Sequence, residues 1–233
     1  SSDLPYKLHA IDVKYPSILN AKMDEIRKYY EEKVKSETNY ILSDYVELYE
    51  NELMHFNSIL SDVLSFVDII PYSYIEQFST LIFEGSQGIL LDMHFGFFPH
   101  VTFANTTSLN AITICKQLGI EDIETFYISR CYLTRHGSGW MSNELLESEL
   151  KNNEDEINVF NKYQGEFRVG TFDYDLLNYA IEVDRIYNPY SKMNLVINCL
   201  DQLEDFKLDE SKLKFQFNKI LLGNSPNTFL NNL

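Results

Sequence analysis

The sequence predicts an α/β fold, a mainly parallel sheet flanked by helices, with a helical N-terminal lobe. Two observations carry this expectation. In the first third of the chain, apolar residues recur every three or four positions, the period of amphipathic helices. After that, short apolar runs alternate with helix-period segments, the pattern of βα units that build parallel sheets. The expected organisation is one domain, 1–233, made of a helical lobe over 1–77 and an α/β part over 78–233.

The elements follow in order. Leu19, Met23, Ile26, Tyr30 and Val34 form one stripe of a helix over 17–35, with Asp24, Glu25, Lys28, Glu31 and Glu32 opposite. Val46, Tyr49, Leu53, Phe56, Leu60, Val63 and Val67 stripe a second helix over 44–67, with Asp44 and Glu47 as its capping box. This stripe suits packing on the chain's own sheet better than a coiled-coil seam. A break at Asp68 to Pro71 follows. Residues 80–83 form an apolar run expected as a buried strand feeding a glycine loop. Residues 108–118 are expected as a helix stopped by Gly119, 125–133 as a strand, and 143–150 as a helix followed by a polar surface loop. A helix over 172–187, ended by Asn188-Pro189, and strands over 193–197 and 219–222 complete the expectation.

Composition narrows the function. The 45% hydrophobic and 14% aromatic content is that of a packed protein, with sixteen Tyr and sixteen Phe against one Trp. A net charge of -16 argues against non-specific nucleic-acid binding, which needs clustered Lys and Arg. It leaves a small anionic ligand open, since such a site needs only a few local donors. Cys115, Cys131 and Cys199 are too few and too far apart for a disulfide framework or a zinc site. No apolar run reaches the roughly 18 residues of a membrane span, and Ser1 to Asp3 do not look like a signal peptide. A cytoplasmic, reducing compartment is the expectation.

Ligands of open α/β sheets bind beyond the carboxyl ends of the strands. Three stretches fall there. In Glu84-Gly85-Ser86-Gln87-Gly88, two glycines flank an amide that can both donate and accept. Beyond it come Leu90-Leu91-Asp92, Gly96, Pro99, Val101-Thr102 and Asn105-Thr106-Thr107, a density of amides and hydroxyls suited to phosphate without net charge. On spacing alone, an ordinary turn-rich connection fits as well. In the second stretch, Arg135 and Gly137 to Gly139 precede Glu144-Leu145, and Arg135 suits either a carboxylate or phosphate contact or a structural ion pair. The third comprises Asn198-Cys199-Leu200-Asp201 and Gly223-Asn224-Ser225-Pro226-Asn227, each after an expected strand; turn or cap roles are the plain alternative.

Together these blocks resemble the adenylosuccinate synthetase family. The first is similar to the family's EGAQGTLLD and HGTYPxVTSSNTT signatures, the second to AYxTRVGxGPFPTEL, and the third to TKLD and STGPDR. The resemblance runs from about Leu8 to near the C-terminus. It implies the family's fold and the GTP-dependent ligation of IMP and L-aspartate in AMP biosynthesis, with GTP and Mg²⁺ as cofactors. It further implies that Gln87, Thr102, Asn105 and Thr106 bind a purine monophosphate. Asp201, Asn224, Ser225 and Pro226 would bind the base of the triphosphate, GTP or ATP, and Arg135 and Arg168 are candidate anion contacts. Homodimers are typical of the family, and neither a nucleic-acid nor a membrane partner is expected.

The departures are equally specific. The family's phosphate-cradling glycine loop and the catalytic aspartate and histidine of its N-terminal third have no counterpart here, and no Gly-x-x-x-x-Gly-Lys pattern occurs. The family lysine of TKLD is replaced by Cys199, and the segment between Asp201 and Lys219 is shorter than usual. The arginine-rich aspartate loop, TTGRxRRxGWLD, is reduced to Gly165-Glu166-Phe167-Arg168-Val169-Gly170 and Asp173. His136 stands where the family has an apolar residue and is read as incidental. The chain alone is therefore expected to be inactive, the glycine-loop part coming from a second polypeptide or an upstream gene portion. The alternative is a non-catalytic nucleotide-sensing or interaction subunit.

Overall fold

In the computed structural model, residues 7–37, 43–145, 150, 160, 162–203, 205–225 and 228–231 are described. The chain divides into two compact units, Ser1–Tyr74 and Ile75–Leu233.

The first unit is helical. A short 3-10 turn, Ala10–Lys14, leads into α1 (Pro16–Glu37), and α2 (Ser43–Leu64) follows. Asp12 organises the start: its carboxylate accepts from the His9 backbone N–H at 2.8 Å and from Lys22 Nζ at 2.7 Å. Lys14 Nζ reaches the Ile69 carbonyl at 2.7 Å, and Asn57 bonds Asn20 at 3.4 Å. Both predicted helices form, but their stripes differ in burial. Leu19 is buried, whereas residues 50–64 of α2 contain no buried residue, and Phe56 and Ile59 are exposed. The side chains of Asp44 and Glu47 lie outside the described residues.

The second unit is the expected α/β layer arrangement. Its main sheet has the order β1-β5-β6-β7, built from β1 (Glu124–Arg130), β5 (Lys192–Asn198), β6 (Lys219–Ser225) and β7 (Thr228–Asn231). β1 and β6 both pair parallel with β5, and β7 adds antiparallel at the edge. A second, antiparallel sheet has the order β2-β4-β3, from β2 (Tyr132–His136), β3 (Glu144–Leu145) and β4 (Phe167–Thr171). The helices are α3 (Leu109–Gln117) and α4 (Tyr174–Arg185). Leu195 and Ile197 of β5, Ile181 of α4, Val169 of β4 and Cys131 form the centre of the core. The start of α4 is set by Asp173, whose carboxylate accepts from the Asp175 and Leu176 backbone N–H groups at 2.9 and 3.0 Å.

Four expectations are corrected. Residues 80–83 form no strand; they pair with nothing among the described residues, and Ile82 is 90% exposed. An apolar run without a neighbouring ladder has no partner for its backbone groups. The single strand expected over 125–133 is two strands in different sheets, divided where Cys131 turns and its N–H bonds the Asn198 carbonyl. The helix expected over 143–150 is replaced, in its described part, by β3, because Glu144 and Leu145 pair with Gly170 and Val169 and Asn143 takes a positive φ of 48°. β4 was not anticipated: its glycine and arginine hide the alternation of buried Phe167 and Val169. The surface loop expected after 150 and the residues Pro226 and Asn227 lie outside the described residues.

Candidate functional site

The glycine and amide block folds around one carboxylate. Asp92 has no exposed surface, and its Oδ1 accepts from the His94 and Phe95 backbone N–H groups at 2.9 and 3.3 Å. Its Oδ2 accepts from the Thr106 N–H at 2.8 Å, which closes a loop between residues 14 positions apart. A buried carboxylate with three backbone donors holds a loop far more firmly than one neutral bond would. Two further bonds lay the two ends of the block side by side. The Thr102 N–H donates to the Leu91 carbonyl at 2.9 Å, and the Thr106 hydroxyl to the Gly88 carbonyl at 3.1 Å. Between them, Gly96 turns so tightly that a Cβ there would stand 2.7 Å from two carbonyl oxygens. Tyr179 of α4 fastens the loop to the layer beneath by a 2.7 Å bond to the Phe95 carbonyl.

This places the four expected monophosphate residues in one knot. Gln87 is exposed directly before Gly88, while Thr102, Asn105 and Thr106 lie on the opposing stretch. Asn105 Oδ1 is occupied by the Thr107 N–H and hydroxyl, so its Nδ2 donors face elsewhere. Asp92 was part of the sequence pattern but not among the expected site residues; its place as the last residue of Leu90-Leu91-Asp92 was the signal.

The two arginines meet across the second sheet, where Arg135 of β2 pairs in register with Arg168 of β4. Arg135 donates from Nε to the Ser138 carbonyl and from Nη2 to the His100 carbonyl, both at 3.0 Å. Gly139, at φ 119°, lets the chain pass against its guanidinium. Arg168 forms a bidentate pair with Glu144, at 2.6 and 2.8 Å, and its Nη1 reaches the Gly137 and Gly139 carbonyls. Glu144 holds the Arg168 guanidinium above its ordinary value. Burial and then the adjacent Arg168 lower that of Arg135. Neither the Glu144 partner nor the carbonyl clamp was legible from residue types alone. His136 packs its ring on that of Phe167, with centroids 5.2 Å apart.

The third group lies at the carboxyl ends of β5 and β6, which run parallel. Cys199 adopts a left-handed turn with φ 62° and starts the 3-10 turn Leu200–Gln202, which holds Asp201 and packs against β6. The Cys131 thiol donates to the Cys199 carbonyl at 3.0 Å, and burial pushes that thiol up to about 12. Asn198 Oδ1 is buried beside this turn with no hydrogen-bond partner among the described residues. Asn224 is exposed near the end of β6, at a bulge between Gly223 and Ser225. The Ser225 side chain and Pro226 lie outside the described residues. One open cavity of about 470 Å³, lined by Asn143, Phe172, Asp173, Tyr174, Asp175 and Lys212, contains none of the expected residues.

The parallel sheet, the carboxylate-centred glycine loop and the turns after β5 and β6 define an α/β protein whose candidate ligand loops follow its parallel strands. Residues 6–219 match the family model "Adenylosuccinate synthetase", and the chain belongs to that family. Among curated relatives, the adenylosuccinate synthetase of Coxiella burnetii (strain Dugway 5J108-111) is 28% identical over 200 residues, 85% of this chain and 44% of that protein. That of Geobacter sulfurreducens is 32% identical over 165 residues, 69% of this chain and 36% of its own length. The chain thus spans less than half the length of these relatives. Among solved structures, the succinoaminodeoxyadenylate synthetase of cyanophage S-2L, bound to dGMP and dATP, shares the fold. It has a TM-score of 0.50 and 17% identity, over 76% of this chain and 55% of that one.

Among the described residues, no three His, Cys, Asp or Glu side chains converge as a metal site, and no helix is long and apolar enough to cross a membrane.

Proposed function

We propose that this chain is the purine-nucleotide-binding portion of an adenylosuccinate synthetase-type ligase, inactive alone and completed by a polypeptide carrying the rest of the family's length. The observation that carries the reading is the knot around Asp92, which lays Gly88, next to Gln87, against Thr106. In this reading the Gln87 amide, the Thr102 hydroxyl and the Asn105 Nδ2 receive a purine monophosphate such as IMP, with Thr106 lining the site while its hydroxyl holds the Gly88 carbonyl. All are neutral donors, which suit phosphate on a chain of net charge -16. Asp201 would accept from the donor edge of the triphosphate's base, with Asn224, Ser225 and Pro226 alongside. The unpartnered Asn198 Oδ1 next to Asp201 fits a ligand that brings a donor. When bound, the triphosphate would supply a phosphoryl group to the purine 6-oxygen, so that the aspartate amine could attack C6 and the C6–O bond break with release of phosphate. Mg²⁺ finds no fitting ligand set among the described residues, so no step here is assigned to it.

One observation favours a second, non-catalytic reading as a nucleotide-sensing or interaction subunit. Arg168, the remnant of the aspartate loop, is committed to Glu144 and two carbonyls, with Glu166 close enough to raise it further. An arginine already paired in this way is poorly placed to clamp the two carboxylates of free aspartate.

Calorimetry with IMP, AMP, GTP and ATP tests the binding claim. Saturable IMP binding, lost in Gln87→Ala, is expected; no heat with any of the four at millimolar concentration removes the reading. Adenylosuccinate formation by the chain alone, supplied with IMP, GTP, Mg²⁺ and aspartate, would overturn its dependence on a partner.

A further inference from the structure

Two of the cysteines meet where β1 ends. The parallel register of β1 on β5 runs to Arg130 opposite Asn198, and Cys131 and Cys199 follow one step on. The Cys131 N–H donates to the Asn198 carbonyl at 2.9 Å and its thiol to the Cys199 carbonyl at 3.0 Å, so the two residues lie side by side. Neighbouring strands run about 4.8 Å apart, inside the roughly 4.4–6.8 Å Cα separation that a disulfide spans. Both side chains pack on one apolar cluster, Cys131 wholly buried and Cys199 half-buried, and neither is in a disulfide here. Cys115 is buried in α3 and does not belong to that cluster.

The pair adjoins the turn that carries Asp201. Cys199 holds a left-handed backbone, φ 62°, which residues with a Cβ seldom adopt. Its carbonyl accepts twice, from the Cys131 thiol and from the Gln202 N–H at 3.0 Å. The second of these bonds closes the 3-10 turn Leu200–Gln202. A displacement of Cys199 is therefore passed to the turn, and Asp201 moves with it. A bond between the two sulfurs would cause that displacement. It removes the S–H donor from the Cys199 carbonyl and draws the Cys199 Cβ toward Cys131. Burial first, and the neighbouring Cys199 second, push the Cys131 thiol up to about 12, so the half-buried Cys199 is the one to react first.

We propose that Cys131 and Cys199 form a thiol–disulfide switch, oxidised by a low-molecular-weight disulfide, which displaces the Asp201 turn and weakens binding of the triphosphate's base. Its nucleotide consequence rests on the reading of Asp201 given above; the bridge itself does not. In the first step the Cys199 thiolate attacks one sulfur of a disulfide such as oxidised glutathione. A mixed disulfide forms and one glutathione thiolate leaves. In the second step Cys131 gives up its proton and its sulfur attacks Cys199 Sγ. The bond to glutathione breaks and the second glutathione thiolate leaves. The cysteine pair is oxidised by two electrons, the added disulfide is reduced to two thiols, and the two cysteine protons end on those thiols. Added dithiol reverses both steps.

The full chain, reduced or treated with oxidised glutathione, tests this by peptide mass mapping, amide hydrogen exchange and GTP calorimetry. Oxidation should produce a Cys131–Cys199 bridge, speed exchange of the Gln202 amide about tenfold or more, and weaken GTP binding by a similar factor. Dithiothreitol should restore all three. Cys131→Ser, which keeps a hydroxyl donor for the Cys199 carbonyl, should stop at a glutathione adduct on Cys199. Cys115→Ser should leave the bridge and its effects in place. The inference is overturned by the absence of a Cys131–Cys199 bridge, by a bridge that needs Cys115, or by unchanged Gln202 exchange in the bridged chain. It is overturned equally if a chain that binds GTP binds it as tightly when bridged. A bridge with faster Gln202 exchange in a chain that never binds GTP sinks the nucleotide reading alone. GTP binding without any bridge sinks the switch alone.

Discussion

Replacing Asp92 by Ala would strand three backbone N–H groups in the interior, those of His94, Phe95 and Thr106. Unpaired donors to a buried carboxylate cost about 3 kcal/mol, so urea unfolding of Asp92→Ala should shift by roughly that amount and IMP affinity should fall with it. Asp92→Asn keeps one acceptor oxygen and should lie between. The Arg168–Glu144 pair makes a different, pH-dependent prediction. Hydrogen bonds from Arg168 hold the Glu144 carboxyl below its ordinary 4.5. A depressed carboxyl stabilises the fold above its unfolded pKa, and that contribution disappears as pH falls through the folded one. The stability difference between the native chain and Glu144→Gln should therefore be constant near neutrality, shrink below about pH 4.5 and vanish once the folded carboxyl is protonated. Urea titrations from pH 7 to 3 would show this; a difference that grows on acidification would refute the pairing. At this scale the sequence revealed which residues matter in pattern but not their partners. Glu144 and Arg168 are 24 positions apart, and nothing in either residue type announces the other.

Elements are joined by a second buried carboxylate. Asp184 of α4, 1% exposed, accepts from the Tyr127 hydroxyl of β1 at 2.9 Å and from the Ser108 N–H at the start of α3 at 2.6 Å. Burial first, and the neighbouring carboxylate second, push the Tyr127 phenol upward, so it stays a donor throughout the working pH range. Tyr127→Phe removes one donor and should cost about 1–2 kcal/mol in thermal or urea unfolding. Asp184→Ala, which orphans both donors, should cost more and loosen α3 against the sheet, seen as faster exchange in that helix. A Tyr127→Phe protein as stable as the native one would show that the bond carries no net weight. Helices α1 to α4 were legible from their local apolar period, whereas the helix expected over 143–150 gave way to β3. The strands were less so: β4 is held by ladders to β2 and β3, β3 by its ladder to β4, and the run over 80–83 fails for want of one.

The whole chain carries its stability unevenly. Among the described residues of the first unit, only Asp12 and Leu19 are buried, whereas the second unit holds the rest of the core. Opening free energy follows buried apolar contact, so exchange in α1 and α2 should become fast at lower urea than exchange in β5. Coincident exchange across both units would contradict this division. Family membership was readable from order alone, since the matched glycines, amides and carboxylates are local signatures that need no neighbour to be recognised. So were the helices, whose hydrogen bonds close within four residues. What the linear chain left open is everything that depends on distant partners. Examples are the turn that sends β2 into a second sheet, the clamp that occupies both arginines, and the carboxylate at the centre of the glycine loop. These rest on contacts between residues far apart in order, and only folding brings such groups within bonding distance.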